Sequence, residues 1–196
     1  MSAQGEPRLI LDDHLPSADA AITEHVRVAA DPGVTYQAVT GLDLLTVRTP
    51  ILVIAMWLRG LPARLTGRAL PAPPALLIGA GVGLPGWTIL GEESGHEIVI
   101  GAVGKFWQPV IEWRSVAAAD FAEYDVPGWA KLAVSFTVTE MGDGSLVSYH
   151  CRTSTTDERA RRRFRRYWWL IRPFVANIMR ATLRTIKTEA ESVPRQ

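Results

Sequence analysis

One cysteine in 196 residues, Cys151, leaves no intramolecular disulfide to form, so no covalent framework ties the chain. The most apolar run, Ile51 to Leu58, falls far short of the ~20 residues that a membrane span requires. A charged-then-apolar leader with a small-residue cleavage site is missing as well, and with the lone cysteine this points to a cytoplasmic setting. Four histidines, at 14, 25, 96 and 150, are scattered without ligand spacing, so neither a metal nor a cofactor is expected. A net charge of +1 gives no general pull toward nucleic acid, and no reader motif for one is present.

What is present is an ordinary globular composition with a strongly patterned C-terminus. From Phe164 the apolar residues Trp168, Ile171, Val175, Ile178/Met179, Leu183 and Ile186 recur at the spacing of one helical face. Thr155 and Glu158 have the spacing of a capping box at its start. About 32 helical residues would span roughly 50 Å, longer than a small domain is wide, so the helix must lie across the rest of the fold. Pro173 falls inside the run and predicts a kink, because it lacks an N–H and clashes with the preceding turn.

Residues 1–20 read as a flexible polar lead-in, followed by one domain over 21–192. Ala21 to Ala29 alternates as a half-buried strand, with Ile22, Glu24, Val26 and Val28 on one side. Asp31-Pro32 and Thr49-Pro50 each place a cap before a proline, starting two short helices that end near Gly41 and Gly60. Residues 60–91 are rich in proline and glycine yet carry the apolar run Ala75 to Ile78, which fits a packed loop or a lid. Strands then follow in series over 87–92, 97–107, 110–116, 121–124, 130–140 and 146–155. The turns Ser94-Gly95 and Gly142-Asp143-Gly144 join two of the pairs. The fold class is therefore α+β: one strand, two short helices, an antiparallel series, and a long closing helix.

That order resembles the helix-grip fold of the START / Bet v 1-like superfamily, the polyketide cyclase/dehydrase and lipid-transport-like proteins. Three stretches resemble an actinobacterial-type branch of it: Gly101 to Trp107, Phe121 to Gly128, and Phe164 through Phe174. The resemblance covers about residues 20–190. It implies a curved antiparallel sheet around the C-terminal helix, and an apolar cavity between them for lipids, sterols, polyketides or similar molecules. On that reading the cavity is lined by Trp57, Phe106, Trp113, Phe136, Tyr149, Cys151, Phe164, Trp168, Ile171 and Val175.

Catalytic motifs are sparse. Gly81 to Gly86 has the spacing G-x-G-x-x-G, but the strand-like Trp87 to Leu90 stands where a phosphate-binding helix would have to begin. Cys151 lies mid-strand and His150 points to the opposite face, so they cannot form a nucleophile–base pair. Acid–base chemistry within the cavity is the remaining enzymatic option, with Tyr149 or Glu112 as the candidate groups. Three readings follow: a carrier of a hydrophobic small molecule, a cyclase or dehydratase in the same cavity, and an interaction protein with a filled core. Between Arg152 and Arg166 the chain holds seven arginines, and a basic helix face carrying Trp169 suggests transient contact with an anionic membrane surface.

Overall fold

The computed structural model describes residues 8–42 and 86–193. The chain runs α1 (Ile10–His14), β1 (Ala20–Val28), α2 (Pro32–Gly41), β2 (Trp87–Glu93), β3 (Glu97–Gly104), β4 (Trp113–Arg114), α3 (Ala118–Phe121), β5 (Ala130–Met141), β6 (Gly144–Thr155) and α4 (Glu158–Glu191). The expected helix over 51–58, including Trp57, and the segment 61–85 lie outside the described residues.

The six strands form one antiparallel sheet in the order β1-β6-β5-β3-β2, with β4 paired to β3. This is the α+β helix-grip architecture that the element order predicts. Period-two alternation gives the sheet two apolar faces, because successive side chains point to opposite sides. The inner face carries Ile98, Ile100, Val134, Phe136, Val138, Val147, Tyr149 and Cys151, packed with α2 and with Met179, Leu183 and Ile186 of α4. The outer face carries Val99, Val103 and Ala133, packed with Leu90, with Leu11 and Leu15 at α1, and with Phe121 of α3.

Several local expectations hold. Asp31 caps α2 by accepting from the Gly33 N–H at 2.8 Å, with Pro32 at the first helical position. The expected long C-terminal helix runs from Glu158 to Glu191, with Pro173 inside it. Pro173 is exposed, so the Trp169 carbonyl that it leaves without a donor can be met by water.

Others change. Residues 10–14, read as part of a flexible lead-in, form α1, where Leu11 is fully buried and Leu15 nearly so. The cap of α4 is not the Thr155–Glu158 box. Thr155 is still paired to Ala130 in the sheet, and Asp157 accepts from the Ala160 N–H at 2.8 Å instead. Glu158 pairs forward with Arg161 and Arg162. Residues 121–124, read as a strand, are instead the last residue of the one-turn helix α3 and the turn after it. Phe121 packs over Gly101, where an added Cβ would lie 2.9 Å from its ring and 2.6 Å from Leu90. Of the expected strand over 110–116, only Trp113 and Arg114 pair with β3.

Candidate functional site

The strand register fixes what lies where on the inner face. One row across the sheet reads Trp87, Ala102, Leu132, Thr153 and Ala20. The next reads Ile89, Ile100, Val134, Cys151 and Ile22, and a third Ile98, Phe136, Tyr149 and Glu24. Beyond the first row, toward the start of α4, Trp113, Gly104, Ala130 and Thr155 are in register. That end of the face is floored by small side chains and flanked by large aromatic ones. Phe106 and Trp113 meet at 5.9 Å between ring centroids, and Trp87 and Trp113 at 6.3 Å. Gly86, at φ +84, lets Trp113 approach so closely that an added Cβ would stand 2.9 Å from its Cβ.

The rows are not uniformly sealed. Leu132 belongs to β5, which has a neighbour on each side, yet it stays partly open to solvent. Trp87, Ile89 and Ile22 on the same face are also partly open, as are Trp168, Ile171 and Val175 on α4. Deeper in, Phe136 and Tyr149 meet at 4.2 Å between ring centroids, tilted by 39°, and are closed off. Leu132, Trp87, Ile89 and Val175 thus pack against the buried inner cluster while leaving part of their apolar surface exposed.

Polar groups are few. Burial raises the Tyr149 hydroxyl well above its ordinary pKa and pushes the Cys151 thiol up to about 12, so both stay protonated at neutral pH. Glu24 stands opposite Tyr149 across β1 and β6, and Arg180 of α4 binds it at 2.9 Å, clipping the helix to the sheet edge. Among the described residues, two buried polar atoms of the inner side have no hydrogen-bond partner: the Trp87 Nε1–H, and the Thr182 hydroxyl on the stripe of Ile178 and Ile186. A buried orphan of this kind costs about 1–3 kcal/mol, so each is a point where a ligand atom or a water would be welcome.

The predicted site residues thus fall into three groups. Phe106 and Trp113 come together with Trp87 at the β2–β3–β4 corner. Phe136, Tyr149 and Cys151 lie on adjoining rows of β5 and β6. Phe164 and Trp168 stack at 5.9 Å on α4, one turn before Ile171 and Val175. Glu112 is elsewhere: it is exposed and pairs with the Lys105 ammonium at 2.6 Å, which holds its carboxyl below the ordinary range. Trp57 lies outside the described residues. Trp87, Leu132 and Glu24 join the site from the structure, and all three lay on alternating strand faces in the sequence. Among the described residues no group of three or more His, Cys, Asp or Glu side chains is placed to hold a metal ion, and no helix is long and apolar enough to cross a membrane.

No family model matches the chain, and no curated protein does. Solved structures are similar over most of its length. Protein CV1439 from Chromobacterium violaceum aligns with 89% of this chain and 98% of its own at 11% identity and TM-score 0.40. CalU16 from Micromonospora echinospora aligns with 88% and 84% at 15% identity and TM-score 0.31. Ara h 8.0201 aligns with 89% and 98% at 12% identity and TM-score 0.34. Likenesses this distant leave the function to be argued from the residues themselves.

Proposed function

We propose that the protein binds a hydrophobic small molecule on the inner face of the sheet, under α4. The observation that carries this reading is the partly open apolar surface at Leu132, Trp87 and Ile89 on the inner face, together with the partly open Trp168, Ile171 and Val175 of α4. Sites of this kind are mostly apolar and aromatic, with a few polar atoms that fix orientation. The Trp87 Nε1–H would serve as a donor. A largely apolar molecule with one or two oxygens, such as a lipid, sterol or polyketide, matches that lining.

Cyclase or dehydratase chemistry would need a group free to exchange a proton with the ligand. Tyr149 is held neutral by burial and Glu24 is engaged by Arg180, so binding is the better-supported activity.

The test joins native mass spectrometry, with extraction of any co-purified compound, to displacement of a hydrophobic fluorescent probe. Leu132→Phe should abolish probe binding with little change in melting temperature. If the space is already filled, the same change overpacks the core, costs about 1–3 kcal/mol and leaves no probe signal in the parent protein either. That second pattern rejects the reading.

A further inference from the structure

The N-terminal half of α4 presents a second surface that the inner face does not use. Arg159 to Arg172 contains seven arginines and no acid, in a chain whose net charge is only +1. At about 3.6 residues per turn, Arg159, Arg162, Arg163, Arg166, Trp169 and Leu170 fall on the side turned away from Phe164, Trp168 and Val175. Trp169 is 81% exposed and Leu170 61%, side by side and among the few large apolar residues left in solvent. Glu158 holds Arg162 at 3.1 Å, whereas Arg163 and Arg166 have no ion pair among the described residues. The four arginines and Glu158 line an open hollow of about 470 Å³.

We propose that this face docks the protein on an anionic lipid bilayer, with Trp169 and Leu170 in the interfacial layer and the arginines on lipid phosphates. Neighbouring exposed indole and leucine side chains are stabilised by entering the apolar margin of a bilayer's interfacial layer. The cations around them supply attraction to one sign of charge. A nucleic acid would use the arginines and could stack on Trp169, but it offers nothing to Leu170. The inference does not depend on the ligand reading, since none of these residues faces the sheet.

The test is co-sedimentation of the full chain with phosphatidylcholine vesicles, with and without phosphatidylglycerol, at low and high salt. Binding should require phosphatidylglycerol and weaken with salt. Arg163→Ala with Arg166→Ala should lower the partition coefficient by roughly thirtyfold, at about 1 kcal/mol per cation near the surface. Trp169→Ser with Leu170→Ser should lower it at least about tenfold through lost apolar burial. All four side chains are exposed, and an unchanged circular dichroism spectrum will show that the variants fold. Equal binding to neutral vesicles, no binding at all, or binding untouched by the Trp169/Leu170 variant overturns the proposal. A DNA duplex bound more tightly than the vesicles, dependent on the arginines and indifferent to Trp169 and Leu170, overturns it in favour of a nucleic acid.

Discussion

His150 shows how a single residue carries its surroundings into behaviour. It lies on the outer face of β6, in register with Thr23, whose hydroxyl is 3.2 Å from its Nδ1. Burial lowers its pKa from 6.5 to about 4, helped by the neighbouring His25 and Arg152 and opposed by Asp12. A base whose folded pKa is depressed takes up its proton more readily in the unfolded chain. Stability is therefore fully present above pH 6.5 and is lost as pH falls toward 4. The effect is about 1–2 kcal/mol once screening by water at this partly exposed site is counted. Urea denaturation across that window should show a flatter pH slope for His150→Gln than for the parent. Superimposable slopes would remove His150 as the cause. Its position opposite Cys151 was legible from strand alternation alone. Its depressed pKa was not, because that depends on β1 lying alongside β6.

At the scale of the element, Glu97 explains why α1 is where it is. Its side chain is buried, and its carboxylate accepts from the Ile10 N–H at 2.7 Å, the Leu11 N–H at 3.4 Å and the Ser135 hydroxyl at 2.5 Å. The first turn of α1 thus receives a negative charge from a strand 87 residues away. Arg152 adds a second anchor, reaching Asp12 at 2.7 Å and the Leu15 carbonyl at 3.1 Å. Glu97→Ala should cost about 2–3 kcal/mol by leaving buried donors unpaired, and should open residues 9–15 to limited proteolysis. An unchanged melting temperature and cleavage pattern would show that apolar contacts alone hold α1. In the sequence, residues 1–20 looked like a lead-in because five helical residues are too few for a periodic signal. The replacement of the Thr155–Glu158 cap by Asp157 has a similar source. Sheet pairing kept Thr155 in β6 and moved the helix start two residues on.

For the whole molecule, the unequal burial of α4 governs what the protein can do. Its second half, with Met179, Leu183, Ile186 and Ala190, is locked to the sheet and α2. Its first half keeps Trp168, Ile171 and Phe174 partly open, and Trp169 and Leu170 largely so. Amide exchange should therefore be slow over Ala176–Ala190 and faster over Phe164–Phe174, with the faster segment slowing when a ligand enters. Uniform protection along the helix, unchanged by ligand, would contradict both the open inner face and its proposed use.

The sequence by itself determined the succession of β1, α2, an antiparallel strand series and a long C-terminal helix, with the two-faced strands and the helix's apolar stripe. All of these rest on local periodicity and on turn and cap chemistry, which act over a few residues. It also named most of the aromatic side chains at the candidate site, because alternation tells which residues share a face. Only the tertiary structure decided the strand order that sets Trp87 in the same row as Leu132, the outer cluster that recruits α1 and α3, and the exposed position of Glu112. The same is true of the buried orphans at Trp87 and Thr182. Each depends on which distant segments meet, and strand partners far apart in the chain leave no trace in local spacing.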